Sequence, residues 1–279
     1  MDIYTITKEL APTLKNHCPD AVLSNVGQQG FYTLASFDDE DFLTGVIQFR
    51  LGNSTVRSEF AAIITYIFVQ DIFRERGTAI SLLGEVIDIA RASDVPRIEV
   101  ELLPEAQGQM ELKDFFLKRH FTFNDEYCLY TGSAADMLRA PSLTQSVKTA
   151  VSTIEILSLR DFNQILGSLK ENLSPAVRDI NLYEKKVSTY FRSGSSCGML
   201  LLRKRGASAL EVVFYASTES ADRASMLDLI LLSARKIRDD YPDNTVIRIV
   251  TADKRNKNII EKLCPGVTPH SLSRGIYEI

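Results

Sequence analysis

The sequence contains few of the residues that hold metals or form disulfide frameworks. Tryptophan is absent, and the 279 residues include only three histidines and four cysteines. No two cysteines share a Cys-x-x-Cys spacing; they are Cys18, Cys128, Cys197 and Cys264. A zinc pattern cannot be built from these residues, so we expect no bound metal. Scattered thiols are typical of reducing compartments, which predicts a cytoplasmic protein.

Long apolar runs and a surplus of positive charge are also missing. The longest apolar stretch, Phe60–Val69, is interrupted by Thr65 and is too short for the ~20 residues of a membrane span. The segment after acidic Asp2 does not resemble a signal peptide. The formal net charge is -4, which argues against a dedicated nucleic-acid binder. The two short basic clusters, Arg203–Gly206 and Lys254–Lys257, are interpreted as solvated surface, at a hairpin tip and at a helix start.

The length and composition indicate a globular protein of two domains. Hydrophobic residues make up 45% and charged residues 24%, which is sufficient for a buried core. Apolar residues recur at helical spacing over Thr78–Arg91, and the acidic turn Asp38–Asp41 separates two β-rich segments. The first half is therefore predicted as strand Asp2–Thr7, helix Lys8–His17, strands Phe31–Phe37, Phe42–Leu51 and Glu59–Val69, helix Thr78–Arg91, strand Arg97–Leu103, helix Glu111–Arg119 and strand Phe121–Thr131.

The second half repeats this order, which indicates a duplication. Its predicted elements are strand Thr153–Leu157, helix Leu159–Lys170, strands Cys197–Lys204 and Ala209–Ser217, helix Asp222–Asp240, strand Thr245–Thr251, helix Asn256–Cys264 and strand Ser271–Ile279. The segment Ala140-Pro141-Ser142 has the composition of a linker. We therefore predict two α/β domains, residues 1–140 and 151–279, that meet near this linker.

The most informative segment is the Arg74–Ala79 turn, Arg-Glu-Arg-Gly-Thr-Ala, between an apolar strand and the long amphipathic helix. The first N–H groups of a helix have no partners within it, and the helix dipole adds partial positive charge there. Gly77 lets an anion approach the backbone, and Arg74 and Arg76 add full charges. The combination favours binding of a phosphate group, although a helix start with solvated arginines would give the same pattern.

The strand, turn and helix together resemble the signature of the GNAT superfamily of acyl-CoA N-acyltransferases, in which [Arg/Gln]-x-x-Gly-x-[Gly/Ala] begins a long helix. Arg74, Gly77 and Ala79 match at the right spacing. Arg97–Leu103 resembles the family's next strand, and Asp114–Phe121 resembles its Phe-Tyr-x-x-x-Gly-Phe ending. The resemblance implies an α/β (α+β) fold of two tandem modules, each a mixed, mostly antiparallel sheet flanked by helices.

By resemblance, the first module binds acetyl-CoA or another acyl-CoA. The backbone of the strand end would contact the pantetheine, and the turn would line the pyrophosphate; the residues are Phe68, Val69, Arg74, Arg76, Gly77, Thr78 and Ala79. The implied activity is transfer of an acyl group to the amine of a small molecule or peptide. A homodimer is a further expectation, with the second half completing the acceptor cleft or the dimer surface.

The family's usual catalytic groups are not all present. Its common acid, the Tyr of Phe-Tyr, corresponds to Phe116, and the motif's Gly corresponds to His120, which predicts a positive φ at that position. None of the strand positions Ile63, Thr65 and Tyr66 carries the carboxylate that frequently serves as base, and Glu59 lies further away. The catalytic residues thus stay open, with substitutes that would each more commonly be structural: Tyr66, Tyr127, Tyr130 and Glu101.

The second module departs further from the signature. Ser217–Ala224 has no glycine and places Glu219 and Asp222 where a pyrophosphate would lie, so we interpret these acids as residues of an ordinary first helical turn. The second module is then a degenerate scaffold. An N-acetyltransferase with one active module is the leading hypothesis. The alternatives are a non-catalytic acyl-CoA-binding or assembly protein and an unrelated α/β binding module.

Overall fold

A computed structural model of the chain describes residues 2–28, 30–53, 60–169, 178–205 and 208–279. The strands are β1 (Asp2–Thr5), β2 (Phe31–Phe37), β3 (Leu43–Asn53), β4 (Phe60–Val69), β5 (Arg97–Leu102), β6 (Thr122–Ser133), β7 (Val151–Thr153), β8 (Thr189–Ser193), β9 (Ser196–Lys204), β10 (Ala209–Ser217), β11 (Val246–Thr251) and β12 (His270–Glu278). The helices are α1 (Asp20–Asn25), α2 (Thr78–Ala92), α3 (Gln109–Leu117), α4 (Ala134–Leu138), α5 (Leu159–Leu169), α6 (Arg223–Asp240) and α7 (Lys254–Leu263).

The chain divides into two compact units. The first contains the described residues up to position 53, together with Phe60–Asp125 and Leu272–Ile279. Its strands are ordered β1-β2-β3-β4-β5-β12. The pairs are antiparallel except β4 with β5, which is parallel. The mixed, mostly antiparallel sheet predicted for this module is confirmed.

Helix α2 covers one face of the first unit's sheet because its apolar side chains recur at helical spacing. Leu82, Leu83, Val86 and Ala90 are buried in one cluster with residues of β3, β4 and β5. Burial of a large aliphatic side chain contributes roughly 1.5–3 kcal/mol, so this stripe holds the helix to the sheet. A separate cluster packs α1 and the preceding 3₁₀ turn, Ala11–Leu14, against β2 and β3.

The second unit repeats this arrangement with the described residues between Glu126 and Ser271. Its strands are ordered β6-β11-β10-β9-β8-β7, and β10 and β11 form its parallel pair. Apolar residues of α6 pack in one cluster with β8, β9 and β11, whereas α5 packs in another. The predicted two-module arrangement is therefore confirmed.

The terminal strands of the two units differ from the predicted domain division into 1–140 and 151–279. Strand β12 pairs antiparallel with β5 inside the first unit, and residues 128–133 of β6 pair antiparallel with β11 inside the second. Each unit is thus completed by a strand that the sequence order assigns to the other. Arg274 of β12 contributes to this pairing, because it forms an ion pair with Glu101 of β5 at 2.6 Å and both side chains are buried.

Several local predictions need correction. The predicted helix Lys8–His17 contains only the 3₁₀ turn, and the segment Ala140-Pro141-Ser142 is not an open linker: Pro141–Leu143 is a 3₁₀ turn whose Leu143 is buried in the second unit. Strand β8 and helix α1 were not predicted, because neither short segment has a long periodic pattern. The Glu59, Lys170 and Gly206 ends of predicted elements lie outside the described residues.

Arg203 also differs from its predicted role as solvated surface. Its side chain is 10% exposed and forms a hydrogen-bonded ion pair with the fully buried carboxylate of Glu211 at 2.8 Å. Arg205 and Arg248 contact the same carboxylate at 2.9 and 3.2 Å. The charge run is therefore partly a buried ionic cluster, which the sequence could not reveal because Glu211 lies on a different strand.

Across the described part of the chain, no helix combines the length and the apolar composition required to cross a membrane.

Candidate functional site

The Arg74–Ala79 turn connects β4 to α2 through two residues in left-handed backbone conformations. A 3₁₀ turn, Asp71–Phe73, follows β4, and Glu75 and Gly77 then adopt φ values of 62° and 87°. Only glycine takes such a φ without strain, so Gly77 allows the sharp entry into the helix. Helix α2 begins at the next residue, Thr78.

The amino end of α2 has no side-chain cap among the described residues. The corresponding end of α6 differs: the Asp222 carboxylate accepts the N–H of Ser225 at 2.7 Å, and this hydrogen bond holds the pKa of Asp222 below its usual range. A capped helix end already has an anion in place. The uncapped end of α2 retains its partial positive charge for an external anion.

Space at the turn comes from two glycines. A Cβ built on Gly77 meets no described atom within 4 Å, so the backbone there can be approached closely. A Cβ on Gly45 of β3 would lie 2.9 Å from both the carbonyl oxygen of Phe68 and the Cγ2 of Thr78. Gly45 therefore permits the first turn of α2 to pack against the end of β4.

The two arginines of the turn are exposed but have different neighbours. The Arg74 guanidinium forms an ion pair with Asp71 at 2.8 Å, and both side chains are mostly exposed. The Arg76 guanidinium lies over the ring of Phe73, 5.6 Å from its centroid. The positive charge of Arg74 is thus partly balanced within the turn, whereas that of Arg76 is supported by an aromatic face.

The strands next to the turn separate. The β4–β5 ladder ends at the pair Ile64–Val100, although β4 continues to Val69. On its other edge, β4 remains paired with β3, with Phe68 opposite Val46. The backbone edge of β4 after Ile64 is therefore not occupied by a β5 ladder, and such an edge can bind an extended chain through main-chain hydrogen bonds.

Known proteins match this chain in structure but not in sequence. No protein-family model matches the sequence, and no curated protein matches it. A GCN5-related glucosamine N-acetyltransferase region of a fungal multi-domain GH3 β-N-acetylglucosaminidase aligns with a TM-score of 0.67 at 8% identity over 99% of this chain. This chain spans 38% of that protein.

Two further structures align over most of both chains. A tandem GNAT protein from the clavulanic acid biosynthesis pathway gives a TM-score of 0.59 at 11% identity over 99% of this chain and 98% of its own. A GCN5-related N-acetyltransferase from Kribbella flavida gives 0.55 at 14% identity over 85% and 88%. The chain has a tandem GNAT fold.

Within this GNAT fold, the position of the family's common acid lies in the core of the first unit. Phe116 is 0% exposed, and its ring packs against Phe115 and Phe121 at centroid distances of 5.1 and 4.8 Å. An aromatic cluster thus encloses position 116, and its side chain has no exposed surface in this structure. The neighbouring expectation is confirmed: His120 has a φ of 65°.

Tyr66 is the candidate substitute that lies on β4. Its half-buried side chain packs with the cluster around α1, on a different face from the cluster that contains α2. Its hydroxyl donates to the carbonyl of His17 at 3.4 Å. Burial, with a smaller contribution from Cys18, raises the pKa of Tyr66 to about 12, so the hydroxyl stays protonated at neutral pH.

The other three candidates have partners or lie elsewhere. Glu101 is ion-paired with Arg274, so its carboxylate is not a ready base. Tyr127 and Tyr130 belong to the second unit, where the buried Tyr130 donates to Glu261 at 3.0 Å. Burial and this hydrogen bond raise the pKa of Tyr130 to about 12. Glu101 lies on β5 of the first unit, opposite Arg274 in the ladder with β12.

Two residues of the site were missed by the sequence analysis. Gly45 is distant in sequence, and an isolated glycine in a strand pattern indicates only a close backbone approach without naming its partner. Asp71 could have been found, because an acid three residues before Arg74 is placed for an ion pair in one helical turn.

Proposed function

We propose that the chain transfers an acyl group from acyl-CoA, with acetyl-CoA as the main donor, to an amine acceptor, and that the first unit binds the donor. The observation that carries this proposal is the uncapped amino end of α2, entered through Gly77 at a φ of 87° with open space at the Cβ position. A diphosphate is bound by backbone N–H groups at a helix start that it can approach closely.

The residues present fit the proposed donor. The first turn of α2, with Thr78 and Ala79, and the charges of Arg74 and Arg76 would hold the pyrophosphate. The β4 edge at Phe68 and Val69, where the β5 ladder has ended, would hold the pantetheine. When bound, acetyl-CoA supplies a thioester that an amine can attack.

The chain's own contribution to chemistry is then mostly positioning. A donor arm fixed between separated strands and a fixed diphosphate would orient a thioester, and orientation alone can contribute several kcal/mol to the barrier reduction. Tyr66 holds a proton at neutral pH and lies on β4, so it is the proposed donor of a proton to the departing thiolate.

The structural neighbours support the choice of reaction. The fungal region is described as a glucosamine N-acetyltransferase and the Kribbella flavida protein as an N-acetyltransferase, so both descriptions name acetyl transfer to nitrogen. We propose an amine of a small molecule or a peptide as the acceptor here.

One donor site per chain is proposed, because Asp222 already fills the helix end of the second unit. Calorimetry with acetyl-CoA should give a single site. Gly77→Glu should abolish binding, since the new carboxylate would repel the pyrophosphate. Gly108→Glu is a matched control: Gly108 also precedes a helix of the first unit, at a φ of 75° with open space at its Cβ. Two equal sites, or binding that survives Gly77→Glu, would contradict the proposal.

A non-catalytic acyl-CoA-binding protein is the second candidate, favoured by the burial of Phe116 and the ion pairing of Glu101. Thiol release from acetyl-CoA, measured with a panel of amines, distinguishes the two. Release that Tyr66→Phe lowers by at least tenfold supports the transferase. Binding of acetyl-CoA without release for any amine supports the second candidate.

A further inference from the structure

The second unit contains a large cavity that the proposed donor site does not use. Strands β10 and β11 pair from Ala209 with Val246 to Val212 with Ile249, where their ladder ends, although β10 continues to Ser217. A bulge in β10 between Val212 and Phe214 accompanies the separation. Helices α6 and α7 line the space that opens, which has a volume of about 370 Å³.

The inner wall of this cavity is apolar. Its side chains come from β9, β11, α6 and the segment around α4, and they include Leu200, Leu202, Ile247, Ala234, Ile237 and Met137. Burial raises the pKa of the lining thiol Cys264 to about 11, so it carries no charge at neutral pH. Native cores contain few voids larger than a water molecule, and a cavity of roughly 150 Å³ already holds benzene. A cavity more than twice that size is suited to an apolar ligand.

The outer end of the cavity is basic. An adjoining depression shares Tyr215, Ile230 and Ile259 with the cavity, so the two spaces lie side by side. Four cations line it: Arg223, Lys254, Arg255 and Lys262. None of the four forms an ion pair with another residue in the described ranges. The acid at the rim, Asp253, is engaged as a helix cap and accepts the N–H of Asn256 at 2.8 Å.

The apolar cavity and its basic rim together indicate which ligand would fit, both in its polarity and in the size of its head group. An apolar chamber behind a basic rim matches an amphiphile with an apolar tail and an anionic head. A nucleotide diphosphate does not suit the α6 end, because the Asp222 carboxylate already accepts the Ser225 N–H there. We propose that the second unit binds a free straight-chain carboxylate of medium length, with its chain in the cavity and its head group at the basic rim.

This proposal does not rest on acyl transfer by the first unit. Calorimetry of the full chain with octanoate, decanoate and dodecanoate tests it. Each added methylene should tighten binding about fourfold until the cavity is full. The variant Lys254→Glu/Arg255→Glu reverses two exposed charges of the rim and should weaken decanoate binding about tenfold or more at low salt.

Two further variants separate specific from general binding. Arg235→Glu changes an exposed charge of α6 that lines neither space, and it should leave decanoate binding unchanged. Ala234→Leu places a larger side chain in the cavity wall and should shorten the longest chain that binds. Equal binding by all variants, or no dependence on chain length, would overturn the proposal, and so would an absence of binding.

The last experiment compares the binding of decanoate with that of decanoyl-CoA. It uses the Gly77→Glu variant, so that the first unit contributes no donor site. Decanoate should bind this chain, and decanoyl-CoA should not bind it more tightly. If decanoyl-CoA binds and decanoate does not, the ligand of the second unit is an acyl-CoA, and the proposal of a free carboxylate is wrong.

Discussion

Arg74 and Arg76 provide the positive charge of the Arg74–Ala79 turn, but they are not equivalent. The Arg74 guanidinium is bound to Asp71, whereas Arg76 lies over Phe73. Exposed ion pairs contribute about 0–1 kcal/mol, so Asp71 can only weakly oppose an incoming anion. Its carboxylate still lies beside the proposed pyrophosphate position, where it adds repulsion.

Asp71→Asn should therefore tighten acetyl-CoA binding by a few-fold, up to about fivefold at low ionic strength. Calorimetry at two salt concentrations measures the effect, which should shrink as salt is added. Asp88→Asn is the matched control, because Asp88 forms a similar exposed pair with Arg91 at the far end of α2. Equal effects of the two substitutions would mean that Asp71 acts only through overall charge.

Phe116 occupies the motif position of the family's common acid, but its side chain is buried. Phe116→Tyr would place a hydroxyl in a fully buried aromatic cluster, at a cost of about 1–3 kcal/mol when the hydroxyl finds no partner. We expect a lower free energy of unfolding in urea and no gain in thiol release. Phe115→Tyr, at a half-buried neighbouring position, should cost less. A Phe116→Tyr variant with unchanged stability and faster thiol release would instead indicate that position 116 supplies the acid.

Helix α2 is positioned by a close contact between elements, and Gly45 makes this contact possible. Its nearest neighbours are the carbonyl oxygen of Phe68 at the end of β4 and the side chains of Thr78 and Leu82 in α2. Because backbone atoms of β4 form one side of the contact, a new methyl group cannot be accommodated by a side-chain rotation alone. The packing of β3 thus sets the geometry of the proposed site.

Gly45→Ala should accordingly lower both stability and acetyl-CoA affinity, with a destabilisation of about 1–3 kcal/mol from overpacking. Gly84→Ala is the control within α2, since a Cβ there meets no described atom within 4 Å. Alanine in that helical position should stabilise the protein by roughly 0.5–1 kcal/mol. Urea denaturation and calorimetry of both variants test the pair. Unchanged affinity in Gly45→Ala would show that the turn does not depend on this contact.

At the scale of the whole molecule, each unit is completed by a strand that the sequence order assigns to the other half of the chain. In the first unit this strand is β12, and buried charges mark its pairing with β5. The Arg274 guanidinium lies 2.6 Å from Glu101 and 3.7 Å from Glu99, and all three side chains are buried. Arg97 contributes a further ion pair to Glu99 at 2.9 Å.

Arg274→Ala should destabilise the protein by about 3–5 kcal/mol, because it leaves buried carboxylates without one of their cations. Arg139→Ala removes an exposed partner of Asp243 and should change stability by less than about 1 kcal/mol. Urea denaturation measures both values. Similar small losses in the two variants would indicate that β12 is held by its apolar contacts, such as that of Tyr277 with Phe121.

The sequence by itself predicted features that depend on neighbours in the chain. The helical stripe of Thr78–Arg91, the glycine-containing turn before it and the positive φ of His120 all follow from local periodicity and backbone sterics. The repeated order of elements predicted two modules for the same reason. The binding role of the Arg74–Ala79 turn stays a prediction, as do the residues that transfer protons.

The tertiary structure alone decided which distant residues meet. It placed β12 beside β5, across a separation of 173 residues between Arg274 and Glu101, and it buried Arg203 against Glu211. It also enclosed Phe116 in an aromatic core. Strand alternation and helical periodicity indicate which face of an element is apolar, but they do not indicate which element covers that face. Strand pairing and burial depend on contacts between distant segments, so only the folded chain fixes them.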